Sequence, residues 1–398
     1  MPELNLNPSV AIACGGTGGH LFPGLAVAEQ LQRRDCSVLL LVSPKEVDRQ
    51  ALPDRPGGTT VTLPAVALQE GNIFSFISGF IKSYYLARRL FQPRPPQAVL
   101  AMGGFISAPP VLAAPAWPAT LTFLHEANSI PGRANRWLAP WVNQAFVNFP
   151  SARRRLWSGT VNPVGMPVRP QFVPMDPASC RMALGLAPER PVLLVTGGSQ
   201  GATGINELIE RTWPLLQQQV PDLQLLHLTG SHDFTRVKSV SARWPGAIMV
   251  RPFLTEMELA LGAATVAVSR AGASSLAELA AMRVPAILIP YPAAADNHQF
   301  FNALAFVQTS AAHMVTQKTA TPEILGQLIV NLARHPAARS AMASALAQWH
   351  HPQAAEQIAD QILTMVERRR WGREDRKCHS SEALPPTQVN RAKAPVKT

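Results

Sequence analysis

The chain has 398 residues and a formal net charge of +11, and 47% of its residues are apolar while 15% are charged. That length allows two or three domains, and that composition is typical of a folded protein rather than a disordered one. Cys14, Cys36, Cys180 and Cys378 show neither metal-ligand nor disulfide-framework spacing. We expect no metal site and no secretory signal, and every apolar stretch is shorter than the ~18 to 20 residues of a membrane span.

Short apolar runs alternate with helix-length segments through the first part of the chain. Strands are predicted over residues 10–14, 37–42, 98–101, 120–124 and 145–147, and helices over residues 21–33 and 74–90. Uniformly apolar strands separated by helices indicate a parallel sheet covered on both faces. We therefore predict a Rossmann-like domain over residues 1–165.

The alternation starts again after a proline-rich linker. Strands are predicted over residues 192–196, 223–228, 247–250, 265–268 and 286–289, with helices beginning near Ala202, Thr255, Ser274 and His298. This pattern predicts a second Rossmann-like domain over residues 166–350. Two doubly wound α/β domains then face a cleft, where ligands bind at the carboxyl ends of the strands.

The last part of the chain is predicted to be helical, with breaks at Pro336 and Pro352, and to end in a C-terminal helix over residues 351–370. Residues 371–398 are predicted to form a basic, disordered tail. Because residues 367–398 hold nine Lys or Arg and four acidic residues, about half of the net charge lies there.

Two glycine-rich loops each follow a predicted strand and precede a predicted helix. The first reads GGTGGH over residues 15–20, and the second reads GGSQGA over residues 197–202. Such turns let backbone N–H groups approach a phosphate, although each alone is equally well a tight turn. Leu21 stands where the dinucleotide fingerprint needs a third glycine, which argues against a nicotinamide-dependent oxidoreductase. His20 adds a titratable group near the cleft.

Other polar clusters leave alternatives open. Glu278 suits the two hydroxyls of a ribose, but Ser275 and Glu278 also have the spacing of a helix capping box. His125 and Glu126 form either an acid/base pair or a support for their loop. The amides and the acid of residues 296–302 suit sugar hydroxyls or a helix N-terminus.

Residues 73–85 place six apolar side chains at helical spacing: Ile73, Phe76, Ile77, Phe80, Ile81 and Tyr84. A stripe of this kind commonly faces the core. Phe74 and Tyr85 lie off the stripe, and Lys82, Arg88 and Arg89 flank it, which instead suits a patch in a membrane interface.

Six motifs in this order carry a family resemblance: GGTGGH, MGGF, HEAN..PG, GGSQGA, a Gly-Ala-rich loop ending in Glu278, and DNHQ..NA. Over about residues 8–350 the chain closely resembles the MurG family of peptidoglycan N-acetylglucosaminyltransferases. The resemblance implies a GT-B fold without cofactor or metal. It also implies inverting transfer of N-acetylglucosamine from UDP-N-acetylglucosamine to the 4-hydroxyl of undecaprenyl-diphosphate-linked muramyl pentapeptide, at the cytoplasmic face of the membrane.

The same resemblance assigns roles to individual residues. Asn128, with Thr17, Gly18 and Gly19, is expected to reach the sugar and diphosphate, and Arg169 to add positive charge nearby. Leu254 is expected to line a uracil pocket through its backbone, and Glu278 to hold the ribose. His20 is the first choice for the catalytic base and Glu126 the second. The further expected donor contacts are Ser199, Ala273, Ser274, Ser275, Leu276, Ala277 and Gln299.

One departure and two competing functions remain. Met166 stands where the family's linker usually has Asn, so a role in ligand binding or hinge geometry is open at that position. A GT-B enzyme acting on another lipid, such as diacylglycerol, would share the donor site and membrane patch. No nucleic-acid partner is expected, because the chain lacks an aromatic-basic recognition motif.

Overall fold

The computed structural model describes residues 7–16, 18–45, 58–65, 72–198 and 200–381, with side chains as far as residue 371. Its strands divide between the two halves of the chain. The first half holds β1 (Ser9–Ala13), β2 (Ser37–Val42), β3 (Gly58–Thr62), β4 (Ala98–Ala101), β5 (Leu121–Glu126), β6 (Gln144–Val147) and β7 (Val161–Pro163). The second holds β8 (Val192–Thr196), β9 (Gln224–Leu228), β10 (Ile248–Arg251), β11 (Val266–Ser269), β12 (Ala286–Leu288) and β13 (His313–Met314).

Helices separate most of these strands. In the first half they are α1 (Gly18–Gln32), α2 (Ile73–Phe91), α3 (Ala108–Ala113) and α4 (Arg133–Leu138). The second half adds α5 (Pro177–Ala183), α6 (Thr203–Gln219), α7 (Phe234–Ser241), α8 (Met257–Ala263), α9 (Ala273–Met282) and α10 (His298–Gln308). Three more helices complete the chain: α11 (Pro322–Arg334), α12 (Pro336–Ala347) and α13 (Ala354–Ser381).

Both sheets are parallel, and both reverse their strand order at one point. The first has the order β3-β2-β1-β4-β5-β6-β7 and the second the order β10-β9-β8-β11-β12-β13. The reversals therefore fall between β1 and β4 and between β8 and β11. Ligands of open α/β sheets bind beside the carboxyl ends of the strands at such reversals. The glycine-rich loops that follow β1 and β8 stand at these two positions, as the predicted architecture requires.

The predicted strands are all present, with shifted ends for several of them. The bounds of β2, β4 and β8 match the prediction, and the helical breaks near Pro336 and Pro352 are confirmed. Three strands were not predicted: β3, β7 and β13. Each of them is a sheet edge with a single described strand neighbour.

The last helix returns to the first domain. Ile358, Ala359 and Ile362 of α13 are fully buried in a cluster that also holds residues of β1 and α1. Outside this cluster the Arg34 Nε donates to Asp360 at 2.8 Å. Helix α13 continues to Ser381, beyond the predicted end at residue 370, so the predicted tail is helical over residues 371–381. The rest of that predicted tail lies outside the described residues.

The two domains also meet near the linker. The Phe149 ring, just after β6, lies 5.5 Å from the ring of Trp349, which stacks on Phe306 of α10 at 4.4 Å. Met166 is buried in a small cluster with Ala127, Ala273 and Ala277, which come from both domains. The position at which the linker departs from the family is thus a packing contact between the domains.

Candidate active site

A cleft of about 2080 Å³ lies between the carboxyl ends of the two sheets. Its walls combine the loops after β1, β5, β8 and β11 with the start of α1 and of α9. Such a volume exceeds the roughly 300–1,000 Å³ that one drug-sized ligand fills, so it suits two substrates together.

The first glycine-rich loop brings a helix N-terminus to the cleft. Helix α1 begins at Gly18, within the GGTGGH motif, and Gly18, Gly19 and His20 line the cleft. Gly16 has a φ of +88°, and a Cβ there would come within 2.9 Å of the Phe105 ring. A larger residue at Gly16 is therefore strained and crowded. Thr17 lies outside the described residues.

The MGGF loop makes room for the imidazole of His20. Gly103 and Gly104 both have positive φ, and a Cβ on Gly103 would lie 3.0 Å from His20 Cδ2. A Cβ on Gly104 would lie 3.2 Å from His20 Nδ1. The absence of side chains at these two glycines therefore leaves the space that the His20 ring occupies at the cleft.

Both carboxylate oxygens of Glu126, at the end of β5, accept hydrogen bonds. Its Oε1 accepts from the backbone N–H of Asn128 at 2.8 Å and from Asn128 Nδ2 at 3.2 Å. Its Oε2 accepts from Gly132 N at 2.9 Å and from Asn135 Nδ2 at 2.8 Å. Burial raises the pKa of Glu126, whereas these donors oppose the rise. The carboxylate thereby shapes the loop that carries Asn128.

His125 has a different hydrogen-bond partner from Glu126. The buried His125 Nε2 lies 3.0 Å from the Gly165 carbonyl oxygen of the linker. Burial lowers the pKa of His125 to about 4, so the imidazole is neutral at pH 7. Among the described residues, no hydrogen bond joins the side chains of His125 and Glu126. Glu126 supports the loop after β5, and His125 supports the linker.

The second glycine-rich loop repeats the first arrangement in the other domain. Gly198 and Gly201 have positive φ, and a Cβ on Gly201 would collide with the backbone of Thr229. Helix α6 follows at Thr203, so its N-terminus also faces the loop. Ser199, an expected donor contact, lies outside the described residues.

Helix α9 supplies a third helix N-terminus. Its N-cap is Gly272, and Ser275 lies inside the helix, so the capping-box interpretation of Ser275 and Glu278 is wrong. The Ser274 hydroxyl donates to the Gly19 carbonyl oxygen at 3.3 Å and thereby connects the two domains across the cleft. Gly272, Ala273, Ser274 and Ser275 line the cleft, whereas Leu276 and Ala277 are buried behind it.

Glu278 and Arg169 face each other at the cleft. The Arg169 Nη2 lies 3.8 Å from Glu278 Oε1, and the Glu278 side chain is only 16% exposed. Burial raises the pKa of Glu278 to about 7; the Arg169 charge opposes that rise and Glu258 adds to it. The Arg169 guanidinium stacks on the rings of Phe22 and Phe172, and its Nε is buried with no acceptor among the described residues.

Two more expected contacts line the same cleft. The Gln299 Oε1 accepts from the backbone N–H of Ala271 at 3.2 Å and of Tyr291 at 3.0 Å, which fixes the side-chain amide. Leu254, after β10, also lines the cleft. The structure brings these residues to one place with Asn128, Glu278 and Arg169.

Several residues have roles in this site that the sequence does not predict. Asn302 of α10 is buried and bonded to both domains, and Arg270 bonds the Ile289 and Pro290 carbonyls with Nη1. Phe76 and Phe80 of α2 line the cleft, as does Phe105. Asn302 stands in the DNHQ..NA motif, but no local pattern indicates its partners, which lie far away in the chain.

Comparisons with known proteins agree with this arrangement. A model of the glycosyltransferase family 28 N-terminal domain matches residues 10–147, and a model of the C-terminal domain of that family matches residues 192–358. The UDP-N-acetylglucosamine--N-acetylmuramyl-(pentapeptide) pyrophosphoryl-undecaprenol N-acetylglucosamine transferase of Sorangium cellulosum is 36% identical over 90% of this chain and 88% of its own length. The protein of the same name from Moorella thermoacetica is 35% identical, over 90% and 99%.

A solved structure is similar over nearly the whole chain. The crystal structure of Acinetobacter baumannii MurG has a TM-score of 0.70 and 28% identity, and the match covers 90% of this chain and 99% of that one. Two Rossmann-like domains facing this cleft form the GT-B fold, and the two family models identify the chain as a glycosyltransferase of that fold. The chain belongs to glycosyltransferase family 28 and, within it, to the MurG family. The predicted fold class and enzyme class are confirmed.

Proposed function

We propose that the chain transfers N-acetylglucosamine from UDP-N-acetylglucosamine to the muramyl 4-hydroxyl of undecaprenyl-diphosphate-linked muramyl pentapeptide. The observation that carries this proposal is the placement of two glycine-rich loops and three helix N-termini around one cleft. The named relatives, which are about 35% identical over 90% of the chain, support the same reaction.

The second domain is proposed to hold the donor. The uracil lies beside Leu254, and the ribose hydroxyls donate to the Glu278 carboxylate. Both residues line the cleft, as do Gly197 and Gly198, whose loop precedes α6. Backbone N–H groups at a helix N-terminus favour an anion. The diphosphate is therefore placed between the starts of α6 and α9, with Ser199 as a further contact.

Stabilisation of the leaving UDP is the main electrostatic task of the site. As the bond to the sugar breaks, negative charge develops on the diphosphate, and preorganised donors lower the barrier. The N-termini of α1, α6 and α9 supply such donors. Arg169 adds a cation whose buried Nε has an unmet N–H among the described residues. An anionic oxygen would satisfy it.

The acceptor hydroxyl needs a base, and we propose His20. Its ring lies at the cleft against the Gly103–Gly104 turn. Glu126 is the weaker choice because each of its carboxylate oxygens already accepts two N–H groups. Inversion follows when His20 removes the proton as the hydroxyl attacks the anomeric carbon opposite the diphosphate.

We further propose that α2 docks the enzyme on the cytoplasmic face of the membrane. Phe74 is 78% exposed and Tyr85 65%, and Ile73, Ile77 and Ile81 are about half exposed. The buried residues of α2 are Gly79, Ser83, Ala87 and Phe91, so the core-facing interpretation fails for the three isoleucines. Phe76 and Phe80 line the cleft on the same helix, which makes the exposed face continuous with the entrance for a lipid-linked acceptor.

No helix within the described ranges combines the length and the hydropathy that crossing a bilayer requires. Arg88 and Arg89 in the last turn of α2 suit anionic headgroups at the interface.

An assay with radiolabelled UDP-N-acetylglucosamine tests the function. We expect transfer to a lipid I analogue in liposomes, with a β-linked product, and no transfer to diacylglycerol in the same liposomes. Transfer to diacylglycerol without transfer to the muramyl acceptor would overturn the proposal in favour of the other lipid acceptor.

A further inference from the structure

Asn302 is the centre of a buried hydrogen-bond network between the two domains. It lies in α10 of the second domain and is 0% exposed. Its Oδ1 accepts from the backbone N–H of Ser129 at 2.9 Å and from the Ser129 hydroxyl at 3.0 Å. Its Nδ2 donates to Asn128 Oδ1 at 3.0 Å and to the Ala271 carbonyl oxygen at 3.2 Å. A side-chain amide has two N–H donors and two acceptor lone pairs, so this network uses all four.

Three of these four bonds cross between the domains. Asn128 and Ser129 belong to the loop after β5 in the first domain, whereas Ala271 belongs to the loop before α9. Opening of the cleft would break the three bonds together. It would leave Asn128 Oδ1 and the Ser129 donors without the partner that they have here. Buried polar groups that lose a partner are costly, so the bonds form and break as a unit.

The network also fixes the direction of the Asn128 amide. Asn302 holds its oxygen from one side, and the Glu126 carboxylate holds its Nδ2 from the other at 3.2 Å. One N–H of Asn128 and one lone pair of its oxygen remain for a ligand, each in a set direction. The two anchors come from different domains, so this arrangement exists only when the cleft is closed.

We infer that Asn302 is a positioning residue that makes the donor-sugar contact of Asn128 conditional on domain closure. The inference rests on the proposed function, in which Asn128 touches the N-acetylglucosamine. UDP alone would bind to the open second domain. The sugar would add affinity only when Asn302 brings the loop of Asn128 over it, so closure and sugar recognition are coupled.

Calorimetry provides a test that needs no acceptor. For the full-length protein, the affinities for UDP and for UDP-N-acetylglucosamine are compared in wild type, Asn302→Ala and Asn302→Asp. We expect UDP affinity to stay within about twofold, whereas the extra affinity that the sugar gives is lost. Asn302→Asp keeps the size but places a carboxylate against two carbonyl oxygens, so it should behave like Asn302→Ala. Loss of UDP affinity in parallel would overturn the inference.

Kinetics supply a second readout. We expect kcat to fall about tenfold to 100-fold in Asn302→Ala, as for a misplaced reacting group. We also expect Asn128→Ala/Asn302→Ala to be little slower than Asn128→Ala alone, because the residues act as one unit. Multiplicative effects would show that Asn302 does not act through Asn128. The matched control is Asn331→Ala, which changes an exposed asparagine of α11 and should leave all values unchanged.

A milder variant keeps the inference testable if the Asn302 variants do not fold. Ser129→Ala removes one donor to Asn302 Oδ1 and leaves the backbone N–H bond in place. We expect a partial loss of the sugar's extra affinity with unchanged UDP affinity; an unchanged sugar contribution would contradict the inference. If the wild type transferred no sugar, the proposed function would be wrong. If the wild type and Asn302→Ala were both fully active, only this inference would be wrong.

Discussion

Glu278 shows how one buried carboxylate links ligand recognition to stability. Its pKa is raised to about 7 because burial disfavours the charged form more than Arg169, at 3.8 Å, favours it. In the unfolded chain a glutamate titrates near ~4.3. Between these values the folded state binds the proton and the unfolded state does not. Stability therefore falls as the pH rises from about 4 to about 7 and stays lowered above it.

The variant Glu278→Gln should remove this pH dependence. Glutamine mimics the protonated carboxyl, so we expect its melting temperature to match wild type near pH 4 and to exceed it at pH 8 without ligand. Thermal unfolding at both pH values measures the effect. An equal difference at pH 4 and pH 8 would contradict the raised pKa.

The same variant should bind the donor poorly, because a neutral amide is a weaker acceptor for two ribose hydroxyls. We expect UDP affinity to fall about tenfold or more at pH 8. In wild type, UDP affinity should weaken as the pH drops below 7, when the carboxylate takes up a proton, whereas the affinity of Glu278→Gln should stay flat. Calorimetry between pH 6 and pH 8 distinguishes the two profiles.

His20→Ala should affect the chemical step rather than donor binding. Loss of a general base typically costs about 10²- to 10⁴-fold in kcat. Because the ring lies against Gly103 and Gly104 rather than in the second domain, UDP affinity should change little. Steady-state kinetics and UDP calorimetry check this. The control is His335→Ala, at an exposed position between α11 and α12. Unchanged turnover in His20→Ala would exclude His20 as the base.

At this scale the sequence indicates residue types better than partners. His20 and Glu278 were proposed from motifs, and both line the cleft. The role of Asn302 was not predictable, because Asn302 bonds Asn128 and Ser129, which lie more than 170 residues earlier in the chain. Local patterns carry no information about such distant contacts.

At the scale of elements, burial on both faces decides which strands a sequence reveals. Strands β2, β4 and β8 are near-continuous apolar runs inside their sheets, and their bounds were predicted correctly. The edge strands β3 and β7 read GTTVT and VNP, which are polar or interrupted by proline. An edge strand has one neighbour and needs no apolar run, so periodicity alone does not identify it.

Helix α2 is the element whose exposed face needs a partner. Phe74, Ile77 and Tyr85 would leave a large apolar surface in water, which in a monomeric protein commonly marks an interaction site. We expect Phe74→Ser/Ile77→Ser to reduce binding to vesicles that contain anionic lipid and to slow transfer to a membrane-embedded acceptor. UDP affinity should be unchanged, because neither residue lines the cleft.

Vesicle sedimentation measures this binding. The control Trp157→Ser removes a side chain that is 84% exposed and that precedes β7, the edge strand of the first sheet, rather than belonging to α2. Equal loss of vesicle binding in both variants would show that general surface hydrophobicity, rather than α2, is responsible. A water-soluble acceptor analogue should restore turnover in Phe74→Ser/Ile77→Ser.

For the whole molecule, polar contacts of two kinds cross the cleft in addition to the hydrogen bond from Ser274 to Gly19. The buried kind is the Asn302 network. The exposed kind joins Asp296, in the loop before α10, to Arg133 and Arg136 of α4. The linker and α13 add two chain crossings between the domains, and the packing of Phe149 with Trp349 lies beside them. We therefore expect the domains to close by rotating about the side where the linker and α13 connect them. The polar contacts of Asn302 and Asp296 then form across the cleft.

The exposed ion pairs should contribute far less to closure than the buried network. Asp296 is 32% exposed, Arg136 41% and Arg133 80%, and exposed pairs are typically worth about 0–1 kcal/mol. We expect Asp296→Asn to lower kcat/KM less than about fivefold at 0.15 M salt and to be indistinguishable from wild type at 1 M, where the Debye length is about 3 Å. The control Glu210→Gln breaks the pair with Arg236 within the second domain and should have no effect. A large, salt-independent loss of kcat/KM in Asp296→Asn would mean that Asp296 contacts substrate. A small loss in Asp296→Asn together with a large loss in Asn302→Ala would show that the buried amide, rather than the exposed ion pairs, stabilises the closed cleft.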